Sequence, residues 1–236
     1  MGTTAARTLR TTLPARAYTD AEWFQREMES IFARMWLAAA RDHELPVPGA
    51  FVRRDVAGAS VLIVRAENGS RLAFHNVCRH RGTRLCTPEH GTFQGRIQCP
   101  YHAWTYGLDG RLLAAPQMDE VAGFNRADYP LRQVACEVWD GHIFINLSDA
   151  APPLAAQIGD LPARFAPWRM QELRMVRRIE YDIATNWKLV VQNYNECLHC
   201  PVIHPLLNRM HHYLAAENVP TTETYCGGAM GFKAGV

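Results

Sequence analysis

The chain has 236 residues, 48% of them hydrophobic, and a formal net charge of +2 at pH 7. Its basic residues are scattered, whereas a nucleic-acid-binding domain concentrates a basic excess, so binding to nucleic acid is not expected. No apolar run reaches transmembrane length and no secretory signal is recognised, which predicts a soluble cytoplasmic protein without membrane attachment. The seven cysteines are irregularly spaced, as expected for reduced, metal-binding residues and not for a disulfide scaffold.

The first predicted unit, residues 1–45, is an N-terminal segment that contains one helix. Residues 1–17 are mostly small and polar. Thr19 followed by Glu22 has the spacing of a capping box and predicts a helix that ends near Trp36. Its apolar positions fall on one face, at Phe24, Met28, Ile31, Phe32 and Met35. We expect this helix to pack on the C-terminal part of the chain.

The second predicted unit, residues 46–150, consists of short strands and turns. Three dipeptides typical of hairpin turns occur in it, namely Asn68-Gly69, Asp109-Gly110 and Asp140-Gly141. Strands are predicted at residues 61–64, 72–77 and 142–147. The pattern indicates a compact antiparallel β-domain with loops rich in cysteine and histidine at one end.

The third predicted unit, residues 151–236, follows a proline-containing linker at residues 149–153. Residues 175–183 have the character of a strand. Asn186 is a suitable N-cap for a helix that runs from Trp187 to about His199. The residue before a proline avoids the α conformation, so Pro201 is expected to end that helix. The helix has an apolar face of Trp187, Val190, Val191, Tyr194 and Leu198 and a polar stripe of Gln192, Asn193, Glu196 and His199.

Four candidate metal ligands lie in two short motifs, Cys78-x-His80 and Cys99-x-x-His102. Two thiolates and two neutral imidazoles suit either a tetrahedral zinc ion or the two irons of a [2Fe-2S] cluster. Each motif offers one cysteine and one histidine, which favours two adjacent irons with both loops reaching each of them. Cys86 lies between the motifs and is interpreted as a small buried hydrophobic residue.

A second candidate site lies between Asn193 and His204. Glu196 and His199 are three residues apart on the predicted helix, and His204 lies beyond the break at Pro201, from where it can approach the same metal. Two histidines and a carboxylate leave coordination positions open, which suits an Fe(II) ion that must bind O₂. The simpler alternative is a buried helix with one salt bridge and two surface histidines.

The first motif, C-R-H-R-G from Cys78, and the second, C-P-Y-H-A-W from Cys99, together resemble the Rieske domain of the Rieske non-haem iron oxygenases. These are the large (α) subunits of aromatic-ring-hydroxylating dioxygenases and related monooxygenases. Residues 139–147 are similar to the strand that closes this domain. The resemblance implies an α+β fold: an antiparallel β Rieske [2Fe-2S] domain followed by the N-terminal part of a helix-grip (START-like) catalytic domain.

The resemblance also implies roles for the second site. His199 and His204 match the two histidine ligands of a mononuclear Fe(II), and Asn193 matches an asparagine near the iron. Glu196 matches a carboxylate that bridges toward a Rieske histidine of the neighbouring subunit. Cys197 and Cys200 are expected near the ligands or in the core. The family's third ligand is a carboxylate far towards the C-terminus, and neither Glu217 nor Glu223 matches it, so the chain is expected to be a fragment or to have an incomplete iron site.

The implied activity is the O₂-dependent hydroxylation of an organic substrate, either aromatic or a quaternary ammonium compound. Electrons would come from NAD(P)H through a partner reductase, with or without a ferredoxin, and the implied assembly is a homotrimer with or without a β subunit. Two alternatives stay open. One is an electron-transfer Rieske protein whose iron site is incomplete, and the other is a zinc-binding structural module.

Overall fold

The computed structural model describes residues 11–218 and 224–235. They form two compact units, one of Met28–Ile179 and the other of the described residues of Met1–Glu27 and Glu180–Val236. These boundaries differ from the expected ones at residues 45 and 150. The prediction for the first ten residues, and Glu223, lie outside the described residues. Within the described ranges, no helix has the length and apolar character needed to cross a bilayer.

The elements are short, and most of the strands lie in the larger unit. The strands are β1 (Leu37–Arg41), β2 (Ala50–Val56), β3 (Ala59–Arg65), β4 (Arg71–His75), β5 (His90–Thr92), β6 (Arg96–Gln98), β7 (Thr105–Gly107), β8 (Leu112–Ala114), β9 (Gln133–Trp139), β10 (His142–Asn146), β11 (Glu217–Asn218) and β12 (Gly228–Ala229). The α-helices are α1 (Arg16–Thr19), α2 (Ala21–Glu27), α3 (Leu154–Ile158), α4 (Leu161–Phe165), α5 (Trp187–Tyr194), α6 (Cys200–Ile203) and α7 (Pro205–Met210).

A seven-stranded antiparallel sheet organises the Met28–Ile179 unit, with the strand order β1-β10-β9-β4-β3-β2-β5. Three of its neighbouring pairs, β2-β3, β3-β4 and β9-β10, are hairpins of consecutive strands. The hairpins predicted at Asn68-Gly69 and Asp140-Gly141 are confirmed in this sheet. At the second one, φ is +45° at Asp140 and +76° at Gly141, which is the conformation that a two-residue type I′ turn requires.

The inner strand β3 is buried on both faces, which explains its continuous apolar sequence. All four residues 61–64 are fully buried. Leu62 and Val64 contribute to a core cluster on one face that also contains Cys78 and Cys99. Alternate residues of the strand contribute to a second cluster that lies on the opposite face.

The strands β6, β7 and β8 form a smaller sheet. Its residues Ile97, Tyr106 and Leu112 are members of the first of these clusters. The hairpin predicted at Asp109-Gly110 joins β7 to β8 and is confirmed. The loop between β6 and β7 contains the second Cys-His motif, and the first motif follows β4 of the large sheet. Both motifs are therefore attached to strands that share one hydrophobic core.

The predicted N-terminal helix is shorter than expected, and its cap is a different residue. The helix α2 starts after Asp20, whose Oδ1 accepts a 2.9 Å hydrogen bond from the backbone N–H of Trp23, so Asp20 performs the capping role that was assigned to Thr19. A π-helical turn, Met28–Phe32, follows α2. Residues Leu37–Arg41 then pair with β10 as an edge strand, which explains why residues before position 46 belong to the sheet unit.

Two predictions for the C-terminal region are wrong. Residues 173–184 have no regular secondary structure and pair with no strand among the described residues, so the strand at 175–183 is absent there. The helix α5 ends at Tyr194 and not near His199. Its N-cap is Asn186, as predicted, because the Asn186 Oδ1 accepts a 3.1 Å bond from the Lys188 N–H. At the end of α5, the backbone N–H and the side-chain amide of Asn195 both donate to the Val191 carbonyl, at 3.1 and 3.0 Å.

Candidate functional site

The two Cys-His loops are closed by the same pair of backbone hydrogen bonds. In each loop the cysteine N–H donates to the carbonyl five residues later, and the N–H four residues later donates to the cysteine carbonyl. These distances are 2.8 and 3.1 Å in the loop of Cys78, and 2.8 and 3.2 Å in the loop of Cys99. The residue four positions after each cysteine has a positive φ, +72° at Gly82 and +56° at Ala103. Equivalent turns therefore hold the two sulfurs.

Both cysteines lie at the buried end of the site, each with 3% of its surface exposed. Burial raises the pKa of the Cys78 thiol, and a hydrogen bond with Tyr106 acts in the opposite direction. A thiolate in such surroundings needs a cation beside it, which a bound metal provides. The donor chemistry and the burial of the two thiols fit a metal site.

The hydroxyl group of Tyr106 lies 3.3 Å from the Cys78 Sγ and accepts the backbone N–H of Arg79 at 3.0 Å. Burial raises the pKa of Tyr106, so the phenol keeps its proton and can donate it to the sulfur. Tyr106 was not predicted as a site residue. The signal for it was its position in β7, the strand that directly follows the second Cys-His motif.

The two histidines of the motifs lie at the more exposed end of the site. The ring centroids of His80 and His102 are 4.8 Å apart. His80 stacks on the indole of Trp104 at 4.9 Å, with 6° between the ring planes, and Tyr101 lies against His102 at 3.7 Å. Burial lowers the pKa of His80, and the charges of His102 and Arg81 add to this effect. The neutral imidazole that ligates a metal is therefore the favoured form.

The four ligands are divided into a buried sulfur pair and an outer imidazole pair. Among the described residues, no three Cys, His, Asp or Glu side chains are grouped so that they could hold a single metal ion. A tetrahedral zinc needs all four ligands around one point, whereas a Rieske cluster takes two thiolates on one iron and two imidazoles on the other. The donor set of two buried thiols and two partly exposed imidazoles fits the two-iron cluster.

The second candidate site follows α5 in the other unit. Glu196 and His199 meet in a turn and not on a helix face, since α5 has already ended. The Glu196 carboxylate accepts the His199 Nδ1 and, at 2.7 Å, the backbone N–H of Leu198. The hydrogen bond to His199, together with that from Leu198, lowers the pKa of Glu196. Because Nδ1 is engaged by the carboxylate, Nε2 is the His199 nitrogen that can face a metal.

His204 lies where α6 meets α7, and its ring centroid is 5.2 Å from that of His199. Pro201 lies in the first turn of α6, where it starts a new short helix after the chain has already left α5. Asn193 is exposed in the last turn of α5. The described part of the chain places no further carboxylate beside both histidines and Glu196 to complete a metal-binding group.

The expectation that all cysteines are reduced is wrong at one place. Cys197 and Cys200 form a disulfide, because the turn that contains His199 brings their Cα atoms to 5.1 Å, within the range that a disulfide spans. The other described cysteines are free. Cys86 is one of them, and it is buried as predicted.

Two family models match the chain. The first is described as the Rieske [2Fe-2S] domain and matches residues 35–125. The second is described as the ring hydroxylating alpha subunit (catalytic domain) and matches residues 170–225. Together they define an iron–sulfur domain followed by sequence of an oxygenase catalytic domain. The chain belongs to the Rieske non-haem iron oxygenase family, as a large (alpha) subunit sequence.

Among curated proteins, the chain is 39% identical over 196 residues to the glycine betaine monooxygenase oxygenase subunit of Pseudomonas aeruginosa (strain UCBPP-PA14), covering 83% of this chain and 45% of that protein. It is 38% identical over 196 residues to the carnitine monooxygenase oxygenase subunit of Escherichia coli (strain K12), covering 82% and 52%. The chain thus spans about half the length of these relatives.

Solved structures show the same relationship. The quaternary ammonium Rieske monooxygenase CntA, in complex with an inhibitor, superposes with a TM-score of 0.87 at 31% identity, covering 94% of this chain and 62% of that one. Naphthalene 1,2-dioxygenase (F352V mutant) superposes with a TM-score of 0.67 at 31% identity, covering 80% and 44%. The α+β fold with an antiparallel Rieske domain is therefore confirmed.

Proposed function

We propose that the chain provides the electron-accepting and part of the oxygen-activating machinery of a monooxygenase that hydroxylates a quaternary ammonium compound. The observation that carries this proposal is the presence, in one chain, of two distinct ligand sets. One is the sulfur and imidazole pairs of Cys78, Cys99, His80 and His102. The other is the pair His199 and His204, with Glu196 bonded to the first of them.

At the first site, Cys78 and Cys99 would hold the inner iron of a Rieske cluster and His80 and His102 the outer one. When bound, this cluster supplies one-electron transfer. The buried thiols of Cys78 and Cys99 would exclude water from their side of the cluster, while the partly exposed imidazoles of His80 and His102 would give a redox partner access. Electrons are proposed to come from NAD(P)H through a reductase, with or without a ferredoxin.

At the second site, His199 and His204 would hold a mononuclear Fe(II), which supplies O₂ activation when bound. Glu196 fixes the ring of His199 through Nδ1 and raises the basicity of Nε2, as outer-shell carboxylates do in other metal sites. Asn193 is proposed to lie near this iron. In a homotrimer, with or without a β subunit, Glu196 would also face a Rieske histidine of the neighbouring subunit. The similarity to a structure that is described in terms of inter-subunit electron transfer supports this role (TM-score 0.84, 32% identity).

The relatives support one substrate class. The matches at 38–39% identity are named for glycine betaine and carnitine. Among the structures, both at 31% identity, the quaternary ammonium monooxygenase superposes with a TM-score of 0.87 and the aromatic dioxygenase with 0.67. Both named substrates contain a quaternary ammonium group, so we infer a cationic trimethylammonium-type substrate and not an aromatic hydrocarbon.

A second candidate function would use the Rieske domain alone, which a family model matches over residues 35–125. A chain that keeps only its Rieske cluster would act as an electron carrier.

Reduction of the chain followed by single-turnover reoxidation distinguishes these functions. The cluster is reduced without oxygen, and its visible absorption is followed after adding O₂ with glycine betaine, carnitine or naphthalene. We expect reoxidation to be faster with the two quaternary ammonium compounds and a hydroxylated product to form. Reoxidation at one rate in all cases, without product, would support the electron carrier and refute the monooxygenase.

A further inference from the structure

Glu27 lies at the centre of a buried polar cluster that no metal ligand belongs to. Both oxygens of its carboxylate accept hydrogen bonds from the Lys188 Nζ, at 2.6 and 2.7 Å. They also accept the indole N–H of Trp187 at 2.8 Å and that of Trp23 at 3.0 Å. The side chains of Glu27 and Lys188 are each only 9% exposed. Four donor contacts on one carboxylate satisfy the buried charge, and hydrogen bonds from Lys188 and both indoles lower the pKa of Glu27 despite its burial.

This cluster joins α2 to the first turn of α5. Trp23 and Glu27 lie on α2, and Trp187 and Lys188 are the first residues of α5. The Lys188 ammonium also lies over the rings of Trp187 and Tyr18, at 5.2 and 5.5 Å from their centroids. A charged group held in this way has one well-defined position, so it sets the direction in which α5 leaves its N-cap.

Among the described residues, apolar packing contributes little to fixing the direction of α5. Val190 and Val191, in the middle of the helix, are 48% and 43% exposed. Two further polar contacts between the N-terminal segment and α5 or its N-cap involve Tyr18. Its carbonyl accepts from Asn186 Nδ2 at 3.2 Å, and its hydroxyl accepts from Gln192 Nε2 at 3.0 Å.

The helix α5 in turn positions the second metal site. It has eight residues, contains Asn193 in its last turn, and leads through Asn195 directly to Glu196. A helix of this length is about 12 Å long, so a tilt at its first turn displaces its last turn by a proportionate distance. Metal ligands tolerate displacements of only a few tenths of an ångström.

We propose that Glu27 is a positioning residue for the mononuclear iron site, acting through Lys188 and Trp187 at the start of α5. This inference rests on the proposed function, since it requires that His199 and His204 bind Fe(II). It assigns the segment Tyr18–Glu27 to the support of the iron site, although no residue of that segment is a ligand.

The test compares Fe(II) affinity with cluster content in the wild type and in three variants of the full chain. Fe(II) is titrated into protein that keeps its cluster, and binding is read from the EPR signal of the nitric oxide adduct, while the cluster is read from its own EPR signal. We expect Glu27→Gln to weaken Fe(II) binding at least tenfold, within the range that outer-shell changes produce, and to leave the cluster signal intact. Glu22→Gln removes an exposed carboxylate from the same helix and should bind Fe(II) as the wild type does.

A double variant separates positioning from a general loss of folding. Glu27→Gln with Lys188→Met removes both buried charges, so it should recover part of the affinity that Glu27→Gln loses. Fe(II) affinity of Glu27→Gln within twofold of the wild type would overturn the inference. So would the joint loss of the Fe(II) and cluster signals, which would make Glu27 a general folding residue. A wild-type chain that binds a cluster but no Fe(II) would instead refute the proposed function, and this inference with it.

Discussion

Replacing Tyr106 by phenylalanine should lower the reduction potential of the Rieske cluster. The change removes only the hydroxyl group, which lies 3.3 Å from the Cys78 Sγ, and keeps a ring that is fully buried. In the loaded protein the Cys78 sulfur would be a thiolate ligand without a proton, so Tyr106 would be the donor. Reduction adds negative charge to the cluster, and a donor aimed at its sulfur stabilises the reduced form more than the oxidised form.

The size of the shift follows from the strength of this bond. A hydrogen bond to a charged group contributes about 1.5–3 kcal/mol, and we assign about 1 kcal/mol of this to the difference between the two oxidation states. One electron at 59 mV per tenfold change in equilibrium constant converts about 1 kcal/mol to about 40 mV. The Arg79 N–H also loses its acceptor, which should reduce the free energy of unfolding by about 1 kcal/mol.

Protein-film voltammetry measures this potential directly. Tyr101→Phe is the matched control, because the Tyr101 side chain is 61% exposed and lies against His102 without bonding to a cysteine sulfur. We expect a fall of about 40 mV for Tyr106→Phe and less than about 10 mV for Tyr101→Phe. An unchanged or higher potential for Tyr106→Phe would refute the donor role of the hydroxyl.

Three further predictions concern the loops and the charged groups. Ala103→Gly removes the strain of a side chain at positive φ and should raise the free energy of unfolding, measured in urea, by about 1 kcal/mol. Gly82→Ala should lower it by about the same amount. If both substitutions raised it, or both lowered it, the two turns would not be equivalent. Glu196→Ala should keep the cluster spectrum but stop single-turnover electron transfer to the iron bound by His199, and unchanged transfer would exclude a bridging role. Because the pKa of Glu27 is lowered, its contribution to stability is complete above pH 4.5 and is lost as the pH falls through the folded-state pKa. Glu27→Gln should therefore lose less free energy of unfolding than the wild type as the pH falls. Equal losses for the two proteins, measured by urea unfolding at each pH, would contradict a charged Glu27 in the folded state.

Local sequence signals predicted the parts of the structure that depend on neighbours in the chain. The candidate cluster ligands lie in two short loops, and the hairpins depend on dipeptides such as Asp140-Gly141, so local spacing and turn chemistry were sufficient to predict these loops and turns. The cap of α2 was misassigned by one residue because Thr19 and Asp20 are both good capping residues, and only geometry distinguishes them.

Features that depend on distant residues were not predictable in this way. Glu27 and Lys188 are 161 residues apart, and nothing in either local sequence indicates the other. The strand expected at residues 175–183 has suitable residue types, but strand propensity requires a neighbouring strand, which the described residues do not provide. The meeting of Glu196 with His199 was predicted, although a turn and not a helix face brings it about.

The central claim is that this chain holds a two-iron Rieske cluster and a separate mononuclear iron. Mössbauer spectroscopy of the chain loaded with iron-57 tests it most directly, because each iron environment gives its own signal. Reduced protein should show three components of equal area, one from a sulfur-ligated ferric iron, one from a histidine-ligated ferrous iron and one from a mononuclear high-spin Fe(II). Two components of equal area would leave only the cluster, and a chain that holds zinc without iron would contradict the claim altogether.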